Sequence, residues 1–139
     1  MRVVLVHGTF DLLHLGHVRL FKEAAKLGRV IVSITADKYV TKRRTVFDQE
    51  ERAEMIRECR SVSEVRIIND ATGIPAIQSV RPNLYVKGGD YADSINGALA
   101  LEKKAVERLG GAFRIIKMEH EWHSSALLSG RAIDGAHAE

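Results

Sequence analysis

Residues 2–17 read RVVLVHGTFDLLHLGH, and the change of pattern inside this stretch decides the fold. Arg2 to His7 is a short β-branched run that reads as a buried strand. Leu15 to Leu27 places Val18, Phe21, Ala24, Ala25 and Leu27 on one side at helical spacing, and Gly28 ends the pattern. Between the two lies a turn rich in glycine and histidine. A strand, a polar turn and an amphipathic helix form the first half of a strand–helix–strand unit.

The same alternation continues outward. Val30 to Thr35 reads as a second strand, followed by the charged segment Lys38 to Arg44. A helix is expected from about Asp48 to Arg60, because Asp48 and Glu51 have the spacing of a capping box. Val62 to Ile68 is a third strand, Ile74 to Val80 a short helix containing Pro75, and Leu84 to Lys87 a fourth strand that runs into Gly88 and Gly89. Ile95, Ala98, Leu99, Val106 and Leu109 form a helical stripe, Gly110 and Gly111 break it, and Ala112 to Lys117 is a fifth strand. Ser124 is expected to open a final helix. Strands alternating with helices predict an α/β fold: a doubly wound, five-stranded parallel sheet with helices on both faces.

With 139 residues, 45% hydrophobic and 28% charged, the expectation is one domain over residues 1–139, with ordinary globular composition and no repeat or linker. Twenty-one Lys plus Arg against 18 Asp plus Glu leave a net charge of +3, which suits a phosphorylated small molecule as well as a larger anion. No stripe of basic and aromatic residues points to nucleic acid. Cys59 is the single cysteine, so an intrachain disulfide and a cysteine-rich zinc site are excluded. No run approaches the ~20 apolar residues of a membrane helix. A cytoplasmic protein with no membrane partner is the expectation.

Ligands of doubly wound sheets bind beyond the carboxyl ends of the strands. Those ends carry the unusual residues of this chain. Three of the six histidines fall within residues 7–17. His14 at the mouth of the first helix and His17 in its first turn share a side, and Gly8 and Gly16 remove side chains where a ligand nears the backbone. Unpaired N–H groups and the helix dipole at such an end favour an anion. Zinc ligation by the histidine pair, or a purely structural pair, are the competing readings. No HExxH, GxxxxGK[ST] or GxGxxG pattern is present.

Gly8-Thr9-Phe10-Asp11 followed by His14-Leu15-Gly16-His17 resembles the signature of the cytidylyltransferase-like nucleotidyltransferase superfamily, in which a GTFD-type turn precedes an HxGH motif. Further similar elements follow in order: Glu51-Arg52, Arg60, Val86-Lys87-Gly88-Gly89-Asp90-Tyr91, and Ser124-Ser125. The resemblance implies transfer of a nucleoside monophosphate from a nucleoside triphosphate (NTP) to a phosphorylated alcohol or sugar, with release of pyrophosphate. It implies catalytic roles for His14, His17 and Lys42. It also implies nucleotide or phosphate binding by Gly8, Thr9, Phe10, Asp11, Gly16, Gly88, Asp90, Ser124 and Ser125. Arg52, Arg60, Lys87 and Tyr91 are candidates for the acceptor phosphate, Mg2+ is expected with the NTP, and a homodimer is implied.

Several of these residues keep a plainer reading. Lys42, Arg43 and Arg44 neutralise phosphate or form a solvated basic loop. Arg52 and Arg60, eight apart on one helix, clamp phosphate or make surface ion pairs. Ser124 and Ser125 cap a helix, whether or not they also meet phosphate. Trp122, between His120 and His123, stacks on a base or closes the edge of the core.

VKGGDY resembles the heptose-1-phosphate adenylyltransferases, whereas the short segment Lys38 to Arg44 is nearer the glycerol-3-phosphate cytidylyltransferases. AMP transfer to a sugar phosphate such as heptose 1-phosphate is the leading expectation, and a CDP-alcohol activity is the alternative. A nucleotide-binding regulatory module is the non-enzymatic one. The pattern fills the 139 residues, which leaves no room in them for the kinase module found fused to some heptose enzymes.

Overall fold

A computed structural model describes residues 2–41, 43–89 and 97–118. Five strands alternate with four helices: β1 (Val3–Gly8), α1 (Leu15–Ala25), β2 (Arg29–Thr35), α2 (Gln49–Arg57), β3 (Glu64–Ile68), α3 (Ile74–Val80), β4 (Leu84–Gly88), α4 (Ala98–Arg108) and β5 (Ala112–Ile116). All pairings are parallel, in the order β3-β2-β1-β4-β5. The order reverses between β1 and β4, so the crevice at a doubly wound sheet's switch point opens beside the end of β1. The predicted α/β fold and its five strands are present. The helix expected to open at Ser124 lies outside the described residues.

The period-two geometry of a strand divides the core. Val4 and Val6 of β1 face α1 and α2, packing with Leu20, Phe21, Ala24, Ala53 and Ile56. Leu5 faces the other way, onto Ala76 and Ile77 of α3 and Val106 of α4. The sequence places helix boundaries where caps form. Asp48 caps α2 by accepting from Glu51 N–H at 2.8 Å, while Glu51 accepts from Asp48 N–H at 3.0 Å. That helix ends at Arg57, earlier than its apolar pattern suggests, so Arg60 stands beyond it. A short 3-10 turn, Asp37–Tyr39, leads the segment after β2.

On the α3/α4 side, the strand ends carry a buried polar cluster. His7 Nδ1 is 2.8 Å from Ser33 Oγ, and its Nε2 is 3.4 Å from Thr35 Oγ1. Glu102 of α4 accepts from the Tyr85 hydroxyl at 2.9 Å and from Gly73 N–H at 2.7 Å. Gly73 is the N-cap of α3 and sits against both neighbours: a Cβ there would stand 2.5 Å from Tyr85 Oη and 3.0 Å from His7 Cγ. Gly73→Ala is therefore expected to cost about 1–3 kcal/mol, the scale of overpacking a filled site, measured by urea unfolding.

Burial, and then the charge of Lys87, hold the His7 imidazole at a pKa of about 3, with Asp70 opposing. The unfolded histidine takes a proton below its ordinary 6.5, the folded one only near 3. Between these values the unfolded state binds more protons, so stability falls as pH falls, by up to about 1.4 kcal/mol per pH unit from this residue. His7→Gln is expected to flatten that dependence between pH 6.5 and 4.5 in denaturant titrations. An unchanged slope would exclude His7 as its source.

Candidate active site at the end of β1

The stretch between β1 and α1 has its shape set by a histidine capping box. His14 is the N-cap of α1, in extended backbone conformation, and its Nδ1 accepts the N–H of Gly16 at 3.1 Å. In return His17 Nδ1 accepts the N–H of His14 at 3.2 Å. The two rings stack, with centroids 3.7 Å apart and planes 18° from parallel. Each Nδ1 is thus an acceptor, so in the neutral ring the proton resides on Nε2. Burial first, then the nearby charge of His14, lowers the His17 pKa to about 3. At neutral pH His17 is an uncharged donor through Nε2–H.

Phe10 supports this pair from below. It is buried, and its ring meets His17 edge-on at 5.1 Å and Phe21 at 5.3 Å. Its φ of 53° is a conformation few non-glycine residues adopt, and the ring packing holds it there. Gly8 leaves room for that ring, since a Cβ would lie 3.0 Å from Phe10 Cζ. Gly88 does the same for Leu20 of α1, 3.1 Å away. Gly16 is buried at the start of α1. Phe10, expected from the motif to bind nucleotide or phosphate, is largely buried against His17 and also borders the cleft.

Asp11 also borders the cleft, and its carboxylate is engaged within the protein. Its carboxylate accepts from Val46 N–H at 2.7 Å, Phe47 N–H at 3.0 Å and the Arg43 guanidinium at 2.9 Å. Burial opposes its charge, but these donors outweigh burial and hold its pKa below the usual carboxylate range. An acidic residue so occupied anchors residues 43–47 over the turn and aims Arg43 at the cleft. Arg44 is exposed.

The cleft has a volume of about 320 Å³ and is lined by Thr9, Asp11, His17, Thr35, Tyr39 and Arg43, among others. That volume suits a small polar ligand. The ends of β1, β2 and β3 all contribute to it. Thr35 and Tyr39 were missed in the sequence, although both stand at or just after the end of β2, where the strand-end rule directs attention.

Two arginine expectations change. Arg52 is completely buried, and its guanidinium donates to Phe47 O at 3.1 Å, Thr9 O at 2.8 Å and Asp37 Oδ1 at 2.6 Å. It ties α2 to the turn and has no surface left for an acceptor phosphate. Arg60 is exposed past the carboxyl end of α2, just before β3. This is the opposite edge of the sheet from the histidines, so the two arginines do not share a site. Lys87 of β4 is turned inward: its ammonium donates to His7 O at 2.9 Å and stands 4.0 Å from Glu102. Lys42, Asp90, Tyr91, His120, Trp122, His123, Ser124 and Ser125 lie outside the described residues.

Comparison with known proteins agrees with this geometry. The cytidylyltransferase-like family model matches residues 5–128. The bifunctional protein HldE of Koribacter versatilis is 33% identical over 132 residues, covering 91% of this chain and 26% of that protein. HldE of Bradyrhizobium sp. is 34% identical over 138 residues, covering 95% and 27%. The chain thus spans about a quarter of the length of these relatives.

Among solved structures, the lipopolysaccharide core biosynthesis protein of Thermoplasma volcanium superposes with a TM-score of 0.70 at 25% identity, covering 88% of this chain and 99% of that one. Thermotoga maritima TmcAL, solved with alpha-thio ATP, shares the fold with a TM-score of 0.65 at 16% identity, over 93% of this chain and 50% of that one. A family match across nearly the whole sheet, centred on a histidine-capped helix at the switch point, means that the chain belongs to the cytidylyltransferase-like family of nucleotidyltransferases.

Proposed function

We propose that this domain transfers AMP from ATP to a phosphorylated sugar of the heptose 1-phosphate type, releasing pyrophosphate. The observation that carries the reading is the stacked histidine pair at the start of α1. Both rings have Nδ1 committed to backbone N–H groups, which makes each Nε2–H a donor. An acceptor phosphate oxygen attacks the α-phosphorus, a new P–O bond forms, and the bond to the bridging oxygen breaks, with its electron pair leaving on pyrophosphate. The protein needs no nucleophile of its own for this. It has to hold two anions in line and donate hydrogen bonds where negative charge grows. In this reading His14 and His17 serve the second task, and His17, which lines the cleft and is uncharged at neutral pH, donates without moving a proton.

Arg43 brings positive charge to the cleft for the acceptor phosphate, with Asp11 fixing its direction. Relatedness to the HldE proteins supports a sugar phosphate acceptor. Among the described residues no group of three or more His, Cys, Asp or Glu is arranged around a metal ion. Asp11 and Asp37, the acidic side chains of this region, are occupied by N–H donors and arginines. This donor set fits Mg2+ that arrives on the triphosphate, ligated mainly by phosphate oxygens and water, where it neutralises charge. None of the described helices is long and apolar enough to cross a membrane.

Assay of ATP, CTP, GTP and UTP against heptose 1-phosphate and glycerol 3-phosphate, read as pyrophosphate release, is expected to give the highest kcat/KM for ATP with the heptose. A preference for CTP with glycerol 3-phosphate would replace this reading with CDP-alcohol synthesis. Nucleotide binding without turnover on any acceptor would favour a regulatory module. For His17→Ala, kcat is expected to fall about 100-fold or more with the fold retained by circular dichroism, the scale of losing a transition-state donor. Near-wild-type turnover in that variant would remove His17 from the mechanism.

A further inference from the structure

Three cationic side chains converge on alternate backbone carbonyls from the end of β1 into the segment that joins it to α1. Lys87, from β4, donates to His7 O at 2.9 Å. Arg52, from α2, donates to Thr9 O at 2.8 Å. Arg43, from the segment after β2, donates to Asp11 O. Each cation also has a carboxylate partner: Glu102 4.0 Å from Lys87, Asp37 2.6 Å from Arg52, and Asp11 itself 2.9 Å from Arg43. The three cations come from three different parts of the chain, yet each meets the same five residues.

Two of the three are poorly placed to serve as phosphate ligands. Arg52 is wholly buried, and the Lys87 side chain is 18% exposed, already bonded to a carbonyl and close to a carboxylate. What they do contact is the backbone that carries Thr9 and leads to His14. A carbonyl that accepts from a cation is held more firmly than one that accepts from a neutral donor. A turn held at residues 7, 9 and 11 has little freedom left to lose when an anion arrives, and binding that needs less ordering is tighter.

We propose that Lys87 and Arg52 are positioning residues that hold the β1–α1 turn in its anion-binding shape through the carbonyls of His7 and Thr9, with Arg43 doing the same at Asp11 while also facing the cleft. The basic residues that sequence motifs suggest as phosphate ligands then act one step removed, on the backbone. This deepens the proposed reading, since it rests on the turn being the phosphate site. Removing such a donor is expected to weaken anion binding by about tenfold, the scale of losing one charged hydrogen bond.

The test uses the whole chain, inorganic pyrophosphate as probe, and NMR. In ligand-free Lys87→Met the largest amide displacement is expected at Gly8, whose peptide group contains the His7 carbonyl. In ligand-free Arg52→Lys it is expected at Phe10, whose peptide group contains the Thr9 carbonyl. Pyrophosphate affinity falls about tenfold in Lys87→Met and recovers in Lys87→Arg, which keeps a donor. In the wild type, saturating pyrophosphate moves the turn amides while the Lys87 15Nζ resonance stays in place.

A large 15Nζ displacement, with the turn amides of the ligand-free variants unmoved, would make Lys87 a direct phosphate ligand and overturn the proposal. Should Lys87→Met fail to fold, the wild-type 15Nζ signal and Lys87→Arg still decide. Failure of the wild type to bind pyrophosphate would count against nucleotidyl transfer, while the ligand-free amide comparison would still judge the backbone role.

Discussion

The end of the central strand's hydrogen-bond ladder is the constraint on which the rest of this structure depends. β1 pairs with β2 on one side and β4 on the other, so its backbone is satisfied as far as the strands reach. On the β4 side that pairing stops at Val6, and past Gly8 the chain must turn into α1 within a crowded interior, so the carbonyls of His7, Thr9 and Asp11 take donors from side chains. Lys87, Arg52 and Arg43 provide them. Each cation needs a counter-charge where it is buried, which accounts for Glu102, Asp37 and the Asp11 carboxylate. Much of the polar interior follows from that single interruption.

The histidine pair depends on the same turn. A helix start leaves N–H groups unsatisfied, and Ser, Thr, Asp or Asn is the usual remedy. Here imidazoles take that role, and capping fixes which nitrogen holds the proton. The local stability of the helix and the chemistry of the site are met by one set of hydrogen bonds. Phe10 adds the packing that keeps the His17 ring upright. Asp11 reaches the other way, fastening residues 43–47 across the cleft, so one motif builds both the floor and one wall of the site.

Much of this was legible in the sequence where the signal is local. The capping box at Asp48 and Glu51, the glycines that follow α1 and α4, and the alternation of β-branched runs with helical stripes each report a conformation set within a few residues. The HxGH histidines were legible for the same reason, because three residues on a helix start fix their neighbourhood. Arg52 was misread because a charged residue on a short helix ordinarily faces solvent, and nothing nearby in sequence announces that Asp37 and the Thr9 and Phe47 carbonyls will surround its guanidinium. Arg60 was misread because the eight-residue spacing to Arg52 implies one helix, and α2 stops at Arg57. Phe10 and Asp11 carried the motif's identity but not their tasks.

The sequence by itself therefore determined the alternating architecture, the position of the glycine- and histidine-rich turn and the family, since each rests on periodicity, caps and a contiguous motif. Tertiary structure alone decided which cations meet solvent and which meet backbone. That outcome depends on where β4 and α2 come to lie beside the end of β1, at sequence separations of 80 residues for Lys87 and 43 for Arg52. Burial and charge pairing act through space, and a residue's type does not say which carbonyl it will find.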